Sequence, residues 1–179
     1  MTASWARDGR RKRFEQIFDD HFRAVQAYAI RRASREDVDD AVAETFLIAW
    51  RRLDDVPPRA RPWLFGVARR VLANQRRAAG RRVALAARVA GERASEPHRS
   101  EAESAVAAAL HRLGERDREV LMLVAWEGLA PDELASALGC SRAAAKVRLH
   151  RAKRRLRSSL EAGTARPTTK LMLEECHDE

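Results

Sequence analysis

Cysteine is nearly missing from this 179-residue chain: Cys140 and Cys176 are the only two. They cannot by themselves build a disulfide framework or a Cys-rich zinc site. Proline and glycine number six and eight and sit at segment edges, not at the even spacing of a β protein. No apolar run approaches the ~18–20 residues that cross a bilayer. The first 13 residues are polar and basic, so no secretory signal is expected and a cytoplasmic location is. The histidines, His21, His98, His111, His150 and His177, share no ligand-like spacing. Neither a metal site, a cofactor nor a catalytic constellation is therefore expected. Cys140 reads as a small buried residue in a turn, and redox or metal sensing at Cys176-His177 is the weaker alternative.

What the chain has in excess is arginine. Lysine and arginine total 35 against 26 acids, a net charge of +9, and only Lys12, Lys146, Lys153 and Lys170 are lysines. The planar guanidinium fork grips phosphate oxygens or a guanine edge bidentately, so a polyanion is the expected partner. Placement strengthens the case. Ten arginines lie between Arg51 and Arg82 against two acids, and eight basic residues and no acid between Arg142 and Arg157. Conversely, Glu36, Asp37, Asp39, Asp40 and Glu44 crowd one short stretch. The bland alternative is a basic protein whose charges merely solvate its helices.

The periodicity is helical throughout, predicting an all-α protein of two small domains joined by a flexible linker. Phe14, Ile17, Phe18, Phe22, Val25 and Ala29 form one stripe. Ser34 with Asp37 announces a second helix, whose stripe is Val38, Ala41, Val42, Thr45, Phe46, Ala49, Trp50 and Leu53. Pro57-Pro58 ends it, and a third helix starts near Pro62 with Trp63, Leu64, Val67, Ala68, Val71 and Leu72. The expected division is a basic extension at 1–13, a first domain at 14–80, a linker at 81–103 with a helical piece near 83–89, a second domain at 104–160 and a tail at 161–179.

The second domain carries a helix-turn-helix pattern. Pro131-Asp132-Glu133 starts a short helix with Leu134, Ala135 and Leu138 inward, Gly139 makes the turn, and Ser141 caps the next helix. With Ala144 or Ala145, Leu149 and Leu156 facing inward, that helix turns Arg142, Lys146, Val147, His150, Arg151 and Arg154 outward. Such a face fits a B-DNA major groove, each good base contact contributing about 1–3 kcal/mol of discrimination.

Taken in order, the motifs resemble an extracytoplasmic-function sigma factor of the bacterial sigma-70 family, over about Phe14 to Leu160. The stretch Asp40 to Trp50 is similar to the helix by which such factors grip the β′ clamp of core RNA polymerase, which implies Asp40, Glu44 and Phe46 as core-binding residues. Arg61 to Arg70 and Asn74 to Arg77 resemble the segment that captures and melts the promoter −10 element. This implies DNA contacts by Arg61, Trp63, Arg69, Arg70, Asn74, Arg76 and Arg77. Leu113 to Leu121 and Gly139 to Ala152 resemble the −35-reading domain, implying Ser141, Arg142, Lys146, Val147, Arg148, His150, Arg151 and Arg154 as its DNA contacts. The family also implies the β flap and an anti-sigma factor as further partners, and no enzymatic activity. Three positions depart from its pattern: Ala43 for a common Gln, Ala130 for Ser or Thr, and Ala144 for Thr. The competing function is a one-component regulator using the same helix-turn-helix on an operator, although no dimerisation helix or ligand-binding lobe is evident.

Overall fold

A computed structural model describes residues 2–90 and 105–164, with side chains over 8–82 and 105–162. Among the described residues every regular element is helical. The first lobe comprises α1 (Thr2–Ile30), α2 (Arg35–Arg51), a single 3-10 turn at Leu53–Asp55, and α3 (Ala60–Ala90). The second comprises α4 (Ala105–Arg112), α5 (Glu115–Ala125), α6 (Pro131–Leu138) and α7 (Arg142–Thr164).

Two boundaries differ from the sequence reading. The basic N-terminal stretch is part of α1, because its arginines find partners in the loop after α2. Arg10 pairs with Asp54 at 2.8 Å and donates to the Trp50 carbonyl, and Arg13 donates to the Val56 carbonyl at 2.6 Å. The helical piece expected near 83–89 is the last part of α3. The rest of the expected linker, 91–103, and Cys176-His177 lie outside the described residues.

In the first lobe the aromatic stripe of α1 closes on one ring of α2. Phe14, Phe18 and Phe22 surround Phe46, with centroids 4.7 Å apart for Phe18–Phe46. Leu53, Leu64, Phe65 and Val67 complete the core beneath them. The Ser34 cap differs in detail: its hydroxyl donates to the Asp37 carboxylate at 2.6 Å and makes no bond to a backbone amide. In the second lobe Leu123, Leu134, Ala145 and Ala152 are buried. Arg118 donates to the carbonyls of Leu110, His111 and Leu113, satisfying acceptors that the end of α4 leaves open. The turn of the helix-turn-helix follows the sequence reading closely. Gly139 adopts φ 62°, ψ 44°, the left-handed cap, and the Ser141 hydroxyl accepts from the Ala144 amide at 3.2 Å. Ala130 has no side-chain acceptor, yet its own N–H donates to Glu133 at 2.9 Å, so half of a capping box survives.

The two lobes pack against each other, and their buried side chains form one contiguous cluster. Helix α6 lies across α3, and the approach is so close that a Cβ on Gly66 would stand 2.9 Å from the Ala137 carbonyl oxygen. That contact explains a glycine in the middle of a long helix, where it otherwise costs up to about 1 kcal/mol.

Leu64 is fully buried and Ile30 is 59% exposed. Leu64→Ala should lower unfolding free energy by about 2–5 kcal/mol. Ile30→Ala should change it by no more than about 0.5 kcal/mol. Urea titration followed by circular dichroism measures both.

Candidate nucleic-acid interface

Helix α7 buries Ala145 and Ala152, half-buries Leu149 and Leu156, and leaves the polar register in solvent. Ser141, Arg142, Lys146, Val147, Arg148, His150, Arg151 and Arg154 are all exposed, Val147 at 48%. Arg142 is held by Asp132 at 2.9 Å, tying the two helices of the motif together. Lys146, Arg148, Arg151 and Arg154 make no ion pair with any described residue, so their charge is free for a ligand. Helix α7 keeps one flank for its own lobe: Arg155 pairs with Asp117 of α5.

Helix α3 is arranged differently. Its apolar register supplies Leu64, Phe65, Ala68 and Leu72 to the core, and Trp63 is half-buried against it. Of its basic residues, Arg77 is exposed and donates to Asn74 at 2.5 Å. Four others meet the second lobe. Arg61 donates to the Glu127 carbonyl at 2.7 Å, and Arg76 pairs with Glu115 at 2.5 Å. An Arg70 Nη lies 3.2 Å from where a Cβ on Gly139 would stand. Arg69 lines a cleft of about 870 Å³ together with Arg116, Arg148, Arg151 and Arg155, opposite Glu115, Asp117 and Glu119. Basic residues of both lobes thus share one cleft, with acidic residues of α5 standing between them.

A third surface belongs to α2. Asp40, Ala43, Glu44 and Leu47 are exposed on one side and, with Ile48 of α2 and Val71, Asn74 and Gln75 of α3, line an open groove of about 680 Å³. Phe46 requires a correction. It was expected as an apolar anchor for a partner, but it is 4% exposed inside the α1 aromatic cluster. The helical period that places Asp40 and Glu44 outward turns Phe46 inward, and Leu47, 40% exposed, takes the outward apolar position.

The joint between lobes was missed from sequence altogether. Arg32, at the end of α1, lies with its guanidinium carbon 3.7 Å from the centre of the Tyr28 ring. It pairs with Glu119 at 2.8 Å and with Glu127 at 2.9 Å. Arg31 reaches Glu127 at 2.5 Å, and the Tyr28 hydroxyl donates to Glu119 at 2.7 Å. Tyr28 itself stacks on Phe65 of α3. Burial, then the neighbouring Glu119 carboxylate, push the Tyr28 phenol well above its ordinary pKa, so it stays a donor. Burial pulls the Arg32 guanidinium down, but Tyr28, Glu119 and Glu127 outweigh it and hold the pKa above its ordinary value. These partners are 87 to 96 positions apart, and no local pattern announces them.

On this geometry Lys146 and Arg151 are cations on the exposed face of α7 with no ion pair among the described residues. Removing both by alanine should reduce the slope of log affinity against log salt by about two for duplex DNA, one for each phosphate no longer neutralised. Fluorescence anisotropy titrations at several salt concentrations measure it.

Known proteins match both lobes of the chain. Residues 17–82 match the sigma-70 region 2 family and residues 103–156 match sigma-70 region 4. The chain is 31% identical over 157 residues to the ECF RNA polymerase sigma factor SigL of Mycobacterium tuberculosis, covering 81% of this chain and 87% of SigL. It is also 31% identical to the RNA polymerase sigma factor NccH of Alcaligenes xylosoxydans xylosoxydans, over 88% and 91% of the two chains. Among solved structures it is similar to the sigma factor RpoE in complex with the anti-sigma factor NepR from Bartonella quintana. That match has a TM-score of 0.60 and 27% identity, over 83% of this chain and 96% of RpoE. CnrH in complex with the cytosolic domain of CnrY gives a TM-score of 0.56 and 34% identity, over 83% and 88%. A one-component regulator is not favoured, since the first lobe is accounted for as region 2. The chain therefore belongs to the extracytoplasmic-function sigma factors of the sigma-70 family, and it directs promoter-specific initiation by RNA polymerase.

Proposed function

We propose a division of labour in which the first lobe, 14–80, docks on core polymerase through α2 and grips the −10 strand through α3, while the second lobe, 104–160, reads the −35 element through α7. The observation that carries the docking role is the groove between α2 and α3, rimmed by Asp40 and Glu44 with Leu47 as its apolar contact. A basic helical surface on the β′ clamp complements it in charge. Opposite charges steer the encounter and set orientation, and the apolar contact supplies affinity. Phe46 supports this face from behind by fixing α2 on α1.

For the −10 strand, Arg61, Arg69, Arg70, Arg76 and Arg77 supply backbone contacts, Asn74 supplies a hydrogen-bonding edge, and Trp63 is the half-buried aromatic of the same helix. For the −35 duplex, Ser141 and Arg142 stand at the start of α7 near base edges. Lys146, Val147, Arg148, His150, Arg151 and Arg154 follow along the groove and its phosphates. The β flap is the proposed polymerase contact of the second lobe. RpoE and CnrH are each seen with a protein that binds them, NepR and the CnrY cytosolic domain, which supports an anti-sigma partner for this chain as well. A cytoplasmic location goes with this reading.

Asp40→Arg combined with Leu47→Asp should abolish capture of the chain by immobilised core polymerase. Lys146→Ala with Arg151→Ala should leave capture intact while lowering −35-dependent transcription. Undiminished capture of the α2 variant would refute the docking assignment.

A further inference from the structure

We propose that the cleft between α3, α5 and α7 is a binding site for a short chain of linked phosphates, held by Arg69, Arg116, Arg148 and Arg151. The cleft encloses about 870 Å³, and three helices remote in sequence bring these arginines to it. Three acids line it as well, but each is already engaged: Glu115 with Arg76, Asp117 with Arg155, and Glu119 with Arg32. The other four lining arginines make neither a hydrogen bond nor an ion pair with any described residue. Four like charges therefore converge in a recess walled by protein, where water screens them less than on an open surface. The Arg69 Nε is also buried without an acceptor among the described residues. A buried donor in that state costs free energy until an acceptor reaches it.

The chemistry of the lining selects the ligand class. A guanidinium fork matches phosphate oxygens bidentately, and four forks need several charged oxygens spread along a compact molecule. Orthophosphate is too small to meet all four. A DNA duplex is too wide to enter a recess of this size between packed helices. A triphosphate unit, either inorganic polyphosphate or the tail of a nucleotide, satisfies both limits. The consequence for transcription rests on the DNA roles proposed above. Arg69 belongs to the −10 set and Arg148 and Arg151 to the −35 set, so an occupied cleft withdraws members of both from promoter DNA. Arg116 belongs to neither set and is exposed, which makes it the handle that separates this site from DNA binding.

Isothermal titration calorimetry of the full chain with sodium tripolyphosphate tests the site, at about 0.15 M salt to screen diffuse attraction. One equivalent should bind, more tightly than orthophosphate or sulfate at equal ionic strength. Arg116→Gln should weaken binding about tenfold, the loss of one charge-assisted contact. Arg23→Gln removes the same charge from an exposed position on α1 outside the cleft, and should leave binding unchanged. Tripolyphosphate bound no more tightly than sulfate overturns the proposal. Equal weakening by the two variants overturns it too, since that marks attraction to net charge alone. ATP and GTP are titrated in parallel: tighter binding than tripolyphosphate assigns the site to a nucleotide, and equal or weaker binding assigns it to inorganic polyphosphate. Anisotropy with a fluorescein-labelled promoter duplex reads the competition. Arg116→Gln should bind the duplex as the unaltered chain does, yet need about tenfold more tripolyphosphate to release it. Tripolyphosphate that binds one-to-one without releasing the duplex would sustain the site and sink the DNA roles given to Arg148 and Arg151.

Discussion

Arg32 is desolvated between the Tyr28 ring, Glu119 and Glu127, and that contact ties the end of α1 to the second lobe. Its side chain is only 5% exposed, so it is a buried ion pair and not a surface bridge. Buried pairs return little net stability over an apolar contact of the same size, because desolvation offsets the Coulomb gain. Removing one partner is costly all the same, since it strands the other charge. Geometry is what such a pair fixes. Here it sets which face of the first lobe meets which face of the second, and Tyr28 transmits the setting to α3 by stacking on Phe65.

The same residue type serves architecture and recognition, and position within a helix decides which. Arg10, Arg13 and Arg118 end on backbone carbonyls, closing polar groups that loops and helix ends leave unpaired. Lys146, Arg148, Arg151 and Arg154 lie on a helix whose opposite side is packed, with no acid on it between 142 and 157, and they stay exposed without an ion pair among the described residues. The arginines of α3 stand between these cases. Their helix is packed on the first lobe, yet the second lobe supplies acids and carbonyls to them. A strongly basic chain can thus be compact while its cations are poised for a polyanion.

Much of this was legible in the sequence. Helix identity, the Phe14–Phe18–Phe22 stripe, the Gly139 turn and the Ser141 cap follow from local rules, as does the outward register of α7. Misreadings came where period alone was insufficient. Phe46 lies two residues from Glu44, and a helix puts such neighbours on different faces, so an anchor chosen by motif turned out to be core. The run of basic residues before Phe14 reads as a solvated extension, and only the distant acceptors Asp54, Trp50 and Val56 show it to be helix packed on the lobe. Gly66 carried no signal beyond being an odd residue in a helix. The Arg32 joint carried none, because its partners are remote in sequence and each, taken alone, resembles an ordinary surface charge.

As a sigma factor, this chain gives polymerase its promoter choice by contacting both enzyme and DNA. Run-off transcription by sigma-free core enzyme on a library of genomic fragments, with and without the purified chain, tests it most directly. A discrete set of start sites sharing two spaced elements, appearing only when the chain is present, is the predicted result. Start sites unchanged by the chain, despite measurable binding to DNA, would contradict the account.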